Sequence, residues 1–370
     1  MNNIKKIKIL FVIPNSEISG AERQLILLVE NIDKDIFDVE VCCLDGEGSF
    51  TRHIKKLNVK CHEIYRSGSY DFYRLIKLNS LVKSNNFDFI VSFCWSAIQY
   101  SRLVSFFNNI KHIACERGHD YGSFDLSNSI SMFLEPISDL IIFNSRVQME
   151  RYREQFRFVK LPTKTIFNGI NVKSFLQKKN QALIKRLDLP KNTIVIGTIG
   201  NFSKPKNFDM FINVCSKLSI EFKYLHFVAI GDSKYRRGYE QTVEQRGLSN
   251  KISFLGYVKD INALLPNLDM LVLTSTREGM PNVIMESMAS KVLVISTNID
   301  GAKELIDHED NGFLVDSNDI NGMVGIISKI LNNHFNIENI IHNAFVKISN
   351  NFSIENMVNQ YQETFISLYE

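Results

Sequence analysis

Glu278 and Glu286 bracket seven residues in the stretch Thr274-Ser-Thr-Arg-Glu-Gly-Met-Pro-Asn-Val-Ile-Met-Glu286. Ionised carboxylates only accept hydrogen bonds, so a pair of them suits a ligand rich in hydroxyls. Between the two, Gly279 and Met280 lead to Pro281, Asn282 and Val283. Proline suits a first helical turn, where its missing N–H costs nothing, so a helix is expected to start there. The N–H groups at a helix start, with the positive end of the helix dipole, favour an anion. An anion site flanked by carboxylates points to a sugar-phosphate ligand. The same residues also read as an ordinary strand–loop–helix joint with two solvated glutamates, and the spacing alone does not separate these readings.

The surrounding periodicity supplies the elements that must hold this stretch. Asp269–Thr274 is a mostly apolar run of strand length, and Val283–Ala289 continues as a helix. Before it, strands are expected at 7–13, 37–44, 59–64, 89–93, 110–115, 140–143 and 164–166, with helices at 21–32, 72–83 and 147–155. After a polar, lysine-containing segment that follows Asn168-Gly-Ile-Asn-Val172, a second series begins. Its strands fall at 194–199, 224–230, 252–254, 269–274, 292–296 and 313–315, and its helices at 208–216, 239–245 and 283–289. Strands separated by helices imply parallel sheets covered on both faces, with ligands at the carboxyl ends of the strands. At 370 residues the chain exceeds one ordinary core. The expected division is 1–170 and 171–352. The aromatic, amphipathic segment 353–370 is read as a helix packing back on the first domain.

Composition narrows the function classes. A net charge of +3, all of it carried before residue 169, is too weak for the basic stripe that nucleic acid requires. It suits contact with an anionic surface. Six scattered cysteines without a C-x-x-C pair suggest buried free thiols rather than zinc ligands or disulfides. No apolar run reaches membrane-spanning length, and Ile9–Ile13 is too short for a signal peptide's apolar core, so a cytoplasmic protein is expected. No G-x-G-x-x-G occurs, so no dinucleotide cofactor is expected.

The E-x7-E pair has company. Arg277-Glu-Gly-Met-Pro-Asn-Val283 and Glu286-Ser-Met-Ala289 are joined by Ser19-Gly-Ala-Glu-Arg23, Asn168-Gly-Ile-Asn171, Gly200-Asn-Phe-Ser-Lys-Pro-Lys-Asn207 and Asn311-Gly-Phe-Leu-Val315. In this order they resemble the retaining glycosyltransferases of family 4, closely from Gly197 to Val315 and loosely from about Cys42 to Leu140. The resemblance implies an α/β GT-B fold, two Rossmann-like domains whose parallel sheets face an interdomain cleft. It implies a nucleotide-sugar donor, a UDP-linked hexose or N-acetylhexosamine, held by the second domain. Glu286 matches the carboxylate on the ribose hydroxyls and Glu278 the one facing the donor sugar. Gly279, Met280, Pro281, Asn282 and Val283 surround phosphate and sugar, with the neighbours of Pro281 serving where it lacks an N–H. Lys206 matches the lysine that neutralises the leaving diphosphate, and Gly200 belongs to the same loop. Relatives commonly carry arginine at the position of Asn201, a departure for which Arg277 or Lys204 could compensate. Gly20 would let the first domain's backbone approach the diphosphate. In Cys115-Glu-Arg-Gly-His-Asp120, His119 matches a histidine near the sugar and acceptor, while Glu116 and Arg117 are acceptor-side or structural candidates. Asp33-Lys-Asp35 spells the D-x-D that binds a divalent metal in other glycosyltransferases. It lies before a strand rather than after one and reads as a solvated turn, so no metal or cofactor is expected.

The expected acceptor is a glycan or lipid-linked glycan of a surface polysaccharide. Arg146, Arg151, Arg153, Arg157, Lys160 and Lys164, and Phe106-Phe107 near Arg102 and Lys111, are candidates for contact with an anionic membrane. A solvated helix face and buried phenylalanines are the alternative. A nucleotide-sugar epimerase or hydrolase of the same fold, and a catalytically silent sugar-nucleotide-binding module, are the rival functions.

Overall fold

The first strand, β1 (Ile7–Ile13), is apolar almost throughout because both of its faces are covered. Successive side chains of a strand point to opposite faces. Ile7, Ile9, Phe11 and Ile13 enter one core cluster and Leu10 and Val12 another. The computed structural model describes residues 5–66, 72–118, 134–180 and 182–370. These divide into two compact units, Met1–Gly169 with Ile354–Glu370, and Ile170–Ser353.

In the first unit, β1 is followed by β2 (Phe37–Cys43), β3 (Lys60–Glu63), β4 (Phe89–Phe93), β5 (Lys111–Glu116), β6 (Leu140–Phe143) and β7 (Thr163–Thr165). All pair in parallel, in the order β3-β2-β1-β4-β5-β6-β7. The order reverses direction at β1 and β4, the switch point of a doubly wound sheet. Helix α1 (Gly20–Asn31) packs on one face with the C-terminal helix Ile354–Tyr369, through Leu25, Val29, Met357 and Phe365. Phe365 lies 6.0 to 6.3 Å from the rings of Phe11, Phe37 and Phe89. After α2 (Ser49–Lys56), helices α3 (Phe72–Asn85) and α4 (Trp95–Asn108) cover the opposite face with Leu78, Val82, Ala97 and Val104.

The second unit holds β8 (Ile194–Ile199), β9 (Leu225–Ile230), β10 (Ile252–Gly256), β11 (Met270–Leu273), β12 (Leu293–Thr297) and β13 (Phe313–Val315). Its six parallel strands run β10-β9-β8-β11-β12-β13, with the switch point between β8 and β11. The helix Phe208–Glu221 buries Phe211, Cys215 and Leu218 against one face.

Each expected strand is present with its ends moved by at most about two residues. Among the described residues, four helices of eight or more residues were not expected: α2, α4, Ile320–Leu331 and Ile337–Asn351. The reason is plainest in α4. Its buried face carries Gln99, Ser101, Arg102 and Ser105, so polar residues occupy inward positions and erase the apolar period. Arg102 is 1% exposed, with Nε donating to Ser138 Oγ at 2.9 Å. It therefore does not join Phe106 and Phe107 in a surface patch. All six cysteines are free thiols. Among the described residues no helix is long and apolar enough to cross a membrane.

Candidate functional site

The switch point of the second unit places two loops side by side, the one after β8 and the one after β11. The first runs from Gly200 to Asn207 and is anchored by Phe202, buried against Phe208 and Phe254 at ring distances of 4.8 and 5.8 Å. Its neighbours Asn201, Lys204 and Pro205 stay exposed. A 3-10 turn at Lys204–Lys206 ends on Asn207, whose φ of 47° turns the chain into the helix Phe208–Glu221. Gly231, at the end of β9, has a φ of +135°, and a Cβ there would stand 1.9 Å from the Gly200 carbonyl oxygen. Only glycine lets the two turns approach this closely.

The loop after β11 is fastened to the first loop by its own backbone and hydroxyls. Thr276 N donates to Pro205 O at 2.7 Å, and Thr274 Oγ1 donates to Lys206 O at 3.1 Å. Across the junction, Lys206 Nζ meets Glu278 Oε1 at 2.6 Å, and Ser275 Oγ donates to the same carboxylate oxygen at 2.7 Å. Lys206 and Glu278 keep 25% and 16% side-chain exposure, so both remain reachable from solvent. Ser275 is fully buried, and its carbonyl accepts a short hydrogen bond from Thr297 Oγ1 at the end of β12.

The helix Asn282–Ala289 follows directly, with Pro281 as its cap rather than its first residue. Gly301 supports this corner, because a Cβ there would lie 2.3 Å from Gly279 O and 2.8 Å from Pro281 Cδ. Met280, Val283 and Glu286 are buried, while Gly279 and Asn282 are half-buried. Glu286 is 6% exposed on the second turn of this helix. The arrangement thus unites a cation, a carboxylate ligated by a buried hydroxyl, a helix start and a second carboxylate. Such a corner can bind a phosphate at the ammonium and helix start, and hydroxyls at the carboxylates. Arg277 is exposed in the same loop, and Asn201 Oδ1 accepts from Ser203 Oγ at 2.9 Å in the facing one.

Thr274, Ser275 and Thr297 were missed as site-building residues. The signal for the first two was the hydroxyl run Thr274-Ser-Thr276 directly after an apolar strand, and for Thr297 the pair Ser296-Thr297 at the end of another. Polar side chains at that place read as loop surface, whereas Thr274, Ser275 and Thr297 are all buried.

The first-unit candidates are spread differently. Gly20 opens α1 behind Ser19, whose hydroxyl and N–H both donate to Glu22. Glu116 ends β5 and is buried. Arg117 follows it, with Nη1 donating to Asn168 Oδ1 at 2.7 Å and Nη2 to the Tyr361 hydroxyl, and its guanidinium lies 5.1 Å from the Phe93 ring centroid. These contacts tie β5 to the loop after β7 and to the C-terminal helix, which is the structural alternative for this residue. His119 lies outside the described residues. Asp33 accepts from Asp35 N in a turn, and its own N–H donates to Gln362 Oε1. Among the described residues no three His, Cys, Asp or Glu side chains gather as a metal site would need.

Much of the basic stretch 146–164 is engaged within its own unit. Arg153 Nε donates to Thr163 Oγ1 and Lys164 Nζ to Thr364 Oγ1, and Arg146 stacks over Phe167. Buried in the same unit, Glu135 accepts from the Tyr152 hydroxyl at 2.6 Å, and burial pushes its carboxyl up to about 7.

Two family profiles match successive parts of the chain. Glycosyltransferase Family 4 covers residues 18–174, and Glycosyl transferases group 1 covers residues 179–347. A Haemophilus influenzae protein named as an uncharacterized glycosyltransferase is 24% identical over 87% of this chain and 90% of its own length. A Campylobacter jejuni enzyme is 25% identical over 91% of this chain and 92% of its own. Its name describes an alpha-1,4-N-acetyl-D-galactosaminyltransferase that acts on a glycan carried by diphospho-undecaprenol. Among solved structures, Anabaena HepE in complex with UDP and glucose superposes with a TM-score of 0.85 at 23% identity, covering 98% of this chain and all of that one. The two parallel α/β units have the GT-B fold.

Proposed function

The chain belongs to the family 4 glycosyltransferases, and on that premise we propose that it moves a sugar with retention from a nucleotide donor to a glycan hydroxyl. The observation that carries the reading is the Lys206–Glu278 contact of 2.6 Å at the second unit's switch point, beside the start of the helix that bears Glu286. A UDP-linked hexose or N-acetylhexosamine is the proposed donor, by analogy with the UDP and glucose bound to HepE. A lipid-linked glycan of a surface polysaccharide is the proposed acceptor, by analogy with the substrate in the Campylobacter enzyme's name.

In this reading Glu286 accepts from the ribose hydroxyls and Glu278 from hydroxyls of the donor sugar. The backbone of Gly279, Met280, Asn282 and Val283 lies against phosphate and sugar, and Gly200 and Asn201 border the diphosphate. Gly20 is the first unit's candidate for close backbone approach. Breaking the bond from the sugar's anomeric carbon to phosphate builds negative charge on the leaving diphosphate. A fixed ammonium at Lys206 stabilises that charge in the transition state. The acceptor oxygen bonds to the anomeric carbon on the same face, and its proton passes to the departing phosphate oxygen. Glu278 orients the sugar and forms no bond to it, and the reaction needs no metal.

The test is a panel of nucleotide sugars scored by thermal shift, followed by nucleotide release with a membrane lipid extract. One donor is expected to stabilise the protein, with nucleotide release that depends on the extract. No shift with any donor would remove the reading. Free sugar or an epimerised donor produced without acceptor would replace it with a hydrolase or an epimerase.

A further inference from the structure

The Glu278 carboxylate is loaded unevenly. Lys206 Nζ and Ser275 Oγ both donate to Oε1, at 2.6 and 2.7 Å, and among the described residues neither they nor any other donor reaches Oε2. An ionised carboxylate can accept on both oxygens. With the side chain 16% exposed, Oε2 is the oxygen left to a ligand. Lysine alone would not make this choice, because its ammonium is a point charge on a flexible stem. A hydroxyl fixed on buried backbone can make it.

Ser275 is such a hydroxyl. It is fully buried just beyond β11, and its carbonyl accepts from Thr297 Oγ1, which is also fully buried at the end of β12. Thr297 is placed in turn by its pairing with Val315 of β13. Four residues on, Gly301 lies under the Gly279 carbonyl, where a Cβ would come within 2.3 Å of the oxygen. The turn 297–301 therefore holds the loop on both sides of Glu278, at Ser275 and at Gly279. From the other side, Thr276 N donates to Pro205 O at 2.7 Å. The backbone that carries Glu278 is thus fixed by β12 and by the loop after β8, and its carboxylate by Ser275.

We infer that Ser275 and Thr297 are positioning residues for the donor sugar. Thr297 holds Ser275, and Ser275 turns Glu278 so that Oε1 is occupied by Lys206 while Oε2 accepts one sugar hydroxyl. Neither Ser275 nor Thr297 touches the sugar. An oxygen that can only accept selects a sugar with a hydroxyl at that place and rejects one in which it is missing or methylated. The inference rests on the transfer reading above for the sugar that Oε2 meets.

The test compares two ligands that differ only in the sugar. UDP is titrated calorimetrically beside UDP-glucose, UDP-galactose and their N-acetyl forms, and the tightest of the four is taken as donor. Ser275→Ala is expected to bind that donor roughly 10-fold more weakly, the size of a lost hydrogen bond to a charged group. It should bind UDP, which has no sugar, at least as tightly as the wild type does. A general loss of structure would weaken both ligands. Thr297→Val, which removes the hydroxyl at nearly constant volume, should reproduce the split, and Thr297→Ser should rescue it. Should Thr297→Val fail to fold, the two affinities of Ser275→Ala decide alone. Equal weakening of donor and UDP overturns the inference, and so does Thr297→Ser falling as far as Thr297→Val. A wild type that binds none of the four sugar nucleotides removes the UDP-sugar transfer reading and this inference with it. A wild type that binds one of them, with Ser275→Ala unchanged, removes this inference alone.

Discussion

Replacing Glu278 with glutamine separates the two partners of Lys206. The carboxylate holds the ammonium at 2.6 Å, and a nucleotide phosphate that takes the ammonium must compete with it. At an effective dielectric near 20 the bare attraction at that distance is about 6 kcal/mol. Both side chains remain partly exposed, so solvation offsets most of this, and exposed pairs measure about 0.2–1 kcal/mol. The upper end applies here, because Ser275 fixes the carboxylate and removes part of the entropy of aligning it. About 1 kcal/mol corresponds to roughly a fivefold change in affinity. Glu278→Gln is therefore expected to bind UDP about fivefold tighter by titration calorimetry while its turnover falls. In a Lys206→Ala background the same substitution should leave UDP affinity unchanged, which a double-mutant cycle reads directly. Tenfold weaker UDP binding by Glu278→Gln would refute the competition and assign the carboxylate a direct contact with the nucleotide.

Lys206→Ala should lower kcat by about 10²–10³, the size of a lost transition-state donor, whereas Glu286→Ala should weaken donor binding by about 1.5–3 kcal/mol with less effect on kcat; unchanged kinetics in both would sink the site. Turnover should survive EDTA, and its loss with recovery on adding magnesium would establish a metal requirement. Glu135, with its carboxyl raised to about 7 by burial, binds a proton in the folded chain that the unfolded chain has already released. Its contribution to stability therefore falls as pH rises from about 4.5 to 7. Relative to the wild type, Glu135→Gln should gain up to about 3 kcal/mol across that window in urea unfolding. Phe365→Ala, which empties a fully buried site among three phenylalanine rings, should cost about 3–5 kcal/mol and be read as a lower unfolding midpoint.

The strands were legible because burial on both faces leaves an apolar run that survives in a short window. Phe89–Phe93, Leu140–Phe143, Ile194–Ile199 and Phe313–Val315 occur at the residues expected. Helix α4 was not legible, since its inward face carries Arg102, Gln99 and Ser105, whose partners Ser138 and the helix's own carbonyls are invisible to periodicity. In the basic stretch 146–164, Arg146, Arg151, Arg153, Arg157 and Lys160 are exposed as their charge suggests. What the sequence does not show is that Arg146, Arg153 and Lys164 also contact Phe167, Thr163 and Thr364 within the first unit.

At the candidate site the division follows from distance along the chain. Residues Glu278 to Glu286 form one continuous loop and helix start, so their chemistry is a property of local order and can be read from spacing. Lys206 lies 72 positions before Glu278. It meets Glu278 because β8 and β11 are neighbours at the point where the strand order reverses. Thr274, Ser275 and Thr297 gain their roles in the same way, by standing at the carboxyl ends of adjacent strands. The amino-acid order alone determined the α/β class, most of the strands and the carboxylate pair. Only the tertiary structure decided that Glu278 meets Lys206 and that buried hydroxyls fasten the two loops around them, because both depend on which strands become neighbours.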